Sequence, residues 1–305
     1  MSALDTHVDD YLRLRRSLGF KLKREGQLLP QLVAYLEAAG ASTVTSELAI
    51  AWARLPTDVQ PLQWAHRLGS ARAFAAYLKT IDPVTEVPPH DVFGARQQRP
   101  APYLWSSTEI GRLLDATRTL SPPLRAASHE ALFGLLAVSG MRVGEAIGLG
   151  QGDVDLAAGV LTIPDGKFGR SRLVPLHPTS TEALRCYAAR RDRLCPRPRS
   201  SAFLFSSLGT PLSYSQVHKT FSQLTTAIGL RNGGRPRIHD LRHSFAVSTL
   251  IGWQQSGADV GARMTVLSNY LGHVNPAGTY WYLSAAPELT GLAADRLDER
   301  YGARR

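Results

Sequence analysis

Two cysteines, Cys186 and Cys195, are all that 305 residues contain, too few for a disulfide framework or a four-cysteine zinc site. A reducing, cytoplasmic setting is the expectation. No run approaches the ~18 apolar residues that a membrane span requires. The opening segment carries Asp5, Asp9 and Asp10 without an apolar core, so neither a membrane helix nor a secretory signal is expected. Internal repeats and low-complexity tracts are also missing, which argues against a solenoid or a disordered tail. Negative charge is the minority: 35 Lys and Arg against 25 Asp and Glu leave a net charge of +10. Cations in excess displace condensed counterions from a polyanion, so a nucleic acid is the partner that charge suggests. What is plentiful is apolar: 44% hydrophobic residues over this length suffice for about two packed domains.

The apolar periodicity is helical through residues 5–80. Val8, Tyr11 and Leu12 begin one stripe; Leu29, Leu32, Val33 and Leu36 form a second, and Trp64, Leu68, Ala71, Ala75 and Leu78 a third. Pro30 is expected near the start of its helix, where a missing N–H is tolerated, and Gly40 at its end. A bundle of about four short helices follows. From Asp82 to Pro102 the pattern dissolves into Pro83, Pro88, Pro89, Gly94, Pro100 and Pro102. We therefore expect a helical domain over 1–95, a linker over 96–104 and a second domain over 105–305. Structure resumes at Ser106, whose hydroxyl and Glu109 form a capping box. The second domain is mainly helical. Its exception is an antiparallel hairpin of Val160–Ile163 and Arg172–Leu176 about the reversal 164–170, with Lys167 at or near its tip.

Three short segments hold the chemistry. His239 and Arg242 are three residues apart, so on a helix they share a face and reach one phosphate. Arg is a planar multi-donor cation, and imidazole exchanges a proton near neutral pH. His239 and His243 flank Asp240 in a pattern like the zinc-hydrolase His-Glu-x-x-His. Against metal stand the cation Arg242 one turn away, an acid one carbon shorter than the usual base, and no third ligand nearby. Arg142 opens out of an apolar helix just past Gly140, and Glu145 is placed to orient it. Tyr282 lies in Thr279-Tyr280-Trp281-Tyr282-Leu283, after Leu271-Gly272-His273. Each segment alone is compatible with ordinary structure: a local salt bridge, a polar helix face, an aromatic core.

Together they resemble the tyrosine recombinase, or phage integrase, family. Gly140-Met141-Arg142-Val143-Gly144-Glu145 resembles its first arginine box, and the hairpin from Gly166-Lys167 to Val174-Pro175-Leu176 its lysine hairpin. His239-Asp240-Leu241-Arg242-His243 resembles its second box, and Leu271-Gly272-His273 stands nine positions ahead of the nucleophile, which selects Tyr282 over Tyr280. The likeness covers roughly residues 105–285, with the elements in the family's order. Phe168 departs from it, since glycine is common there. The helices before residue 95 are similar to the family's core-binding domain in pattern and position only.

The resemblance implies a DNA recombinase of integrase, transposase or resolvase type, with catalytic residues Arg142, Lys167, His239, Arg242, His273 and Tyr282, supported by Glu145. A phosphodiester under attack gains negative charge in a five-coordinate transition state, which fixed cations stabilise more than the ground state. Arg142 and Arg242 form that clamp, with His273 as a further donor. Tyr282 attacks, His239 takes its proton, and Lys167 protonates the departing 5′-oxygen. The product is a 3′-phosphotyrosyl intermediate and a free 5′-hydroxyl, and rejoining needs neither ATP, metal nor other cofactor. Double-stranded DNA is the partner. The protein would be a monomer in free solution and a homotetramer on DNA, with room for related recombinases beside it, in a bacterial cytoplasm.

Arg190, Arg191, Arg231, Arg235 and Arg237 are the expected backbone-phosphate contacts. Leu289, Leu292, Ala293 and Leu297 make a C-terminal stripe that packs either on a neighbouring protomer or on its own domain. Two other functions remain open on this reading. A type IB-like topoisomerase would relax supercoiled plasmid lacking a cognate site, and a non-catalytic DNA-binding regulator would form no covalent adduct.

Overall fold

The computed structural model describes residues 2–94, 101–164, 171–230, 236–273, 275 and 277–285. The chain divides into two compact units, Met1–Pro100 and Ala101–Arg305.

The first unit is a four-helix bundle of α1 (Ala3–Ser17), α2 (Glu25–Ala38), α3 (Ser46–Arg54) and α4 (Pro61–Leu78). Its core takes in the expected stripes except Trp64, which is only partly buried, and adds Trp52 and Phe74. Pro30 differs from expectation. It lies in the second turn of α2 rather than at its start, and it is exposed, so the hydrogen bond its nitrogen cannot make is lost on the solvent side. The proline-rich stretch also begins as structure rather than linker. Thr85 is buried, Glu86 accepts from the Ser46 amide at 2.8 Å, and Val87, Val92 and Phe93 pack on the bundle.

The second unit starts earlier than expected. Tyr103 meets the ring of Trp105 edge-on at 5.5 Å and Leu104 joins an apolar cluster, so the linker ends before 101 instead of at 104. The capping box forms as read: the Glu109 amide donates to Ser106 Oγ at 3.2 Å, and the Ser106 amide to Glu109 Oε2 at 2.8 Å. It opens α5 (Ser107–Thr117), which is followed by α6 (Pro123–Ser139) and the short α7 (Val143–Gly148). Next come β1 (Val154–Asp155), β2 (Val160–Ile163) and β3 (Arg172–Pro175), an antiparallel sheet in which Val160 faces Pro175 and Ile163 faces Arg172. The expected hairpin is therefore present, and β1, too short to show period-2 alternation, adds a third strand on its other edge. Helices α8 (Pro178–Leu194), α9 (Tyr214–Ala227), α10 (Ile238–Gln255), α11 (Val260–Leu271) and α12 (Ala277–Ala285) complete it.

One core joins α5 to α9 and the sheet through Leu113, Leu132, Phe133, Leu161, Val174 and Val217. A second gathers Val247 and Leu250 of α10, Met264 and Leu267 of α11, and Tyr282 of α12. Among the described residues no helix is long and apolar enough to cross a membrane.

Candidate active site

Two glycines end the helices from which the site hangs. Gly140 caps α6 with φ +59°, and a Cβ there would come within 2.4 Å of Phe245 Cδ1. Gly272 caps α11 with φ +68°, and a Cβ there would stand 2.8 Å from Arg172 Nη1. Both positions need the left-handed backbone and the empty space that glycine supplies.

The end of α11 then acts as a template for cations. The last carbonyls of a helix lack intrahelical donors and carry the negative end of its dipole. Here three consecutive carbonyls each take an arginine: Tyr270 O accepts from Arg172 Nε at 3.0 Å, Leu271 O from Arg242 Nη2 at 2.7 Å, and Gly272 O from Arg142 Nη2 at 2.9 Å. Arg242 also donates to Gly140 O at 2.8 Å. It is 1% exposed, and burial followed by the neighbouring Arg142 charge lowers its pKa to about 10, still a cation at neutral pH. Arg142 keeps 36% of its side chain open to solvent while its Nη1 and Nη2 are held by Glu145 and the Gly272 carbonyl.

Glu145 balances these charges. Its Oε1 accepts from Arg142 Nη1 at 2.7 Å and from Arg172 Nη1 at 3.0 Å, while its Oε2 accepts from Arg172 Nη2 and the Arg142 amide at 2.7 and 2.9 Å. Burial alone would raise this carboxyl; the hydrogen bonds and charges of Arg172 and Arg142 prevail and hold it at about 2. Glu145 meets Arg142 as its spacing led us to expect, and Arg172 is an unforeseen partner.

The imidazoles converge on Tyr282. His273 Nε2 lies 2.9 Å from Arg242 Nη2 and its Nδ1 lies 2.6 Å from Thr279 Oγ1. Arginine only donates, so Nε2 accepts and Nδ1 carries the hydrogen. His273 is therefore an acceptor in this arrangement, where a donor was expected. Burial, then Arg242 and Arg142, depress its pKa to about 4. His243 Nδ1 stands 3.3 Å from the Tyr282 hydroxyl, and its ring meets that of His239 edge-on at 4.6 Å. His239 and His243 are both lowered to about 4. Lost hydration leads in each; Arg242 comes next for His239, and the neighbouring His239 for His243. A neutral His243 with its hydrogen on Nε2 has Nδ1 ready for the phenol proton. His239, the expected acceptor, packs against the ring of His243, and it is His243 that stands within hydrogen-bond distance of the phenol.

The structure separates the two tyrosines. Tyr282 is 2% exposed, with its ring stacked on that of His273 at 6.1 Å, whereas Tyr280 is 53% exposed. Arg242, Arg142, Glu145, His239, His273 and Tyr282 are thus brought together. Lys167, Arg231, Arg235 and the C-terminal stripe from Leu289 to Leu297 lie outside the described residues. Among the described residues no group of three His, Cys, Asp or Glu is placed to share a cation.

The phosphate-contact set needs one correction. Arg191 is 4% exposed; its Nη1 donates to Phe203 O at 3.0 Å, and its guanidinium sits 5.2 Å from the rings of Phe203 and Phe205. It is a core residue, out of reach of a phosphate. Arg190 keeps 44% of its side chain exposed, and Arg237 keeps 47% while pairing with buried Asp240 at 2.8 Å.

Arginines gathered beside a buried phenol and imidazoles make a pocket whose chemistry suits a phosphodiester, carried on a mainly helical domain with a small sheet. Residues 105–288 match the model of the phage integrase family. An integrase/recombinase named y4rB, from Sinorhizobium fredii (strain NBRC 101917 / NGR234), is 44% identical over 99% of this chain and 99% of its own. A tyrosine recombinase XerC from Serratia marcescens is 29% identical over 92% of this chain and 90% of its own. The Tn1549 transposon integrase, solved with transposon right end DNA, superimposes with a TM-score of 0.67 at 15% identity, covering 97% of this chain and 99% of that one. XerA recombinase does so at 0.52 and 20% identity, covering 97% of each, and both structures speak to the fold alone. The chain belongs to the phage integrase family of tyrosine recombinases, and it is a DNA recombinase.

Proposed function

We propose that the protein exchanges DNA strands as an integrase or transposase, with Tyr282 as nucleophile. The observation that carries this reading is the Tyr282 hydroxyl, buried 3.3 Å from His243 Nδ1 in the same pocket as Arg242, beside the half-open Arg142. Arg142 and Arg242 take the non-bridging oxygens of the scissile phosphate. Because their positions are set by helix-end carbonyls and Glu145 before DNA arrives, little reorganisation is left for the transition state. The phenol proton passes to His243, with His239 behind it, as the Tyr282 oxygen–phosphorus bond forms. Lys167, assigned by family resemblance, gives a proton to the 5′-oxygen as its bond to phosphorus breaks. Negative charge gathering on the non-bridging oxygens raises the His273 pKa, and the ring takes a proton from solvent and then donates to the phosphate. The 3′-phosphotyrosyl bond keeps the energy of the broken one, so a second 5′-hydroxyl reverses the step on a new partner strand.

The resemblance to y4rB over nearly the whole chain supports the integrase class, and a homotetramer on paired duplexes is the assembly that the family resemblance implies. Of the arginines expected at backbone phosphates, Arg190 and Arg237 are described and keep exposed side chains. A nicked suicide duplex carrying the cognate site tests the proposal. Wild type and Tyr280→Phe should accumulate a covalent adduct and Tyr282→Phe none; an adduct with Tyr282→Phe sinks the assignment. Rapid relaxation of supercoiled plasmid without that site would favour a topoisomerase instead.

A further inference from the structure

Arg172 belongs to no catalytic assignment above, yet it holds both supports of Arg142. Arg142 is anchored at two points, the Glu145 carboxylate and the Gly272 carbonyl. Arg172 grips the first with a fork, at 3.0 Å to Oε1 and 2.7 Å to Oε2, and ties down the second by donating from Nε to Tyr270 O, two residues before Gly272. Only 14% of its side chain is exposed, and Nε, Nη1 and Nη2 are all engaged within the protein. Its three nitrogens thus serve Glu145 and the Tyr270 carbonyl. Its place on β3 makes the link between elements: Arg172 shares a strand face with buried Val174, so the sheet reaches through it to α7 and to the end of α11.

We propose that Arg172 is a positioning residue that sets the Arg142 guanidinium for the scissile phosphate, bracing Glu145 and the α11 terminus together. This rests on the reading of Arg142 as part of the phosphate clamp. Without the fork, Glu145 pairs with a single cation, the Tyr270 carbonyl loses its donor, and Arg142 keeps its charge but loses its aim. Lysine is a point donor, so it can satisfy one carboxylate oxygen and cannot hold all three acceptors.

Single-turnover cleavage of two suicide duplexes tests this, one natural and one with a neutral methylphosphonate at the scissile position. Replacing the non-bridging oxygen by methyl removes the charge that the clamp serves. On natural DNA, Arg142→Ala should cleave roughly 100-fold or more slowly, as expected for loss of an oxyanion donor. Arg172→Gln should lose about tenfold or more and Arg172→Lys less, with DNA affinity unchanged in both. On the methylphosphonate all three should come within about threefold of wild type, and Arg142→Ala/Arg172→Gln should be no slower than Arg142→Ala on natural DNA. A general folding defect would slow both substrates alike, and Arg172→Lys, which keeps the charge beside Glu145, covers the case of an unfolded Gln variant. Wild-type rates for both Arg172 variants on natural DNA overturn the proposal. So does an Arg172 defect that persists on the methylphosphonate while that of Arg142→Ala vanishes. If the Arg142→Ala defect itself persists, the clamp reading fails and the proposal falls with it.

Discussion

Glu145→Gln removes the negative charge that Arg142 and Arg172 share while keeping its shape. The carboxyl is held at about 2 against an ordinary value of 4.5, and its side chain is 14% exposed, so solvent screens it little. That depression corresponds to about 3 kcal/mol of folded-state stability at neutral pH, since each pKa unit is worth about 1.4 kcal/mol. The sign follows from a lowered folded pKa: the stabilisation is complete above the unfolded value and disappears as pH falls through the folded one. The gap between wild type and variant should therefore be about 3 kcal/mol at pH 7, still close to that near pH 4.5, and about half as large near pH 3. Because the two units unfold separately if they are independent, the assay must report on the second unit alone. Amide exchange in urea, read by mass spectrometry on peptides from α7 and β2, does so. A gap under about 1 kcal/mol at pH 7, or one that does not narrow between pH 4.5 and 2, would refute the charge-sharing argument.

Four further substitutions probe the helix caps, the proton acceptor and the arginines. Gly140→Ala forces a Cβ onto Phe245 at φ +59° and should cost about 2 kcal/mol or more in unfolding while displacing Arg242, whose acceptor is the Gly140 carbonyl; unchanged stability would contradict it. His243→Phe removes the acceptor next to Tyr282 and should slow single-turnover cleavage about 100-fold at unchanged DNA affinity, whereas a rate within about threefold of wild type would return the proton to another group. Arg191→Met should lower stability while leaving the salt dependence of DNA binding unchanged, whereas Arg237→Ala should reduce the logarithmic salt slope by about 1; fluorescence anisotropy across a salt series separates them.

Most of the site was legible because its boxes are local. Arg142 and Glu145 are the N-cap and third residue of α7, and His239 to Arg242 is a single turn of α10, so a spacing of three sets which side chains meet. The helical stripes of the first unit were legible for the same reason. What escaped depends on packing between distant segments. Arg172 meets Glu145 across 27 residues, and the three carbonyls at the end of α11 meet arginines that lie 29 to 130 residues away. Signals were nevertheless present: Arg172 stands two residues from Val174, on the inward face of a strand, and Arg191 continues the buried spacing of Leu184 and Tyr187. A run of arginines reads as a solvated face only until its helical phase is checked. His243 was read only as a metal candidate because nothing in the chain's order reveals that α12 brings Tyr282 against it.

The central claim is a phosphotyrosyl bond at one residue with one polarity. Digesting the covalent complex formed on a nicked duplex and sequencing the nucleotide-bearing peptide by mass spectrometry addresses both. The account predicts DNA joined through its 3′-phosphate to Tyr282, with a free 5′-hydroxyl on the released strand. Attachment at Tyr280, at any other side chain, or through a 5′-phosphate would contradict it.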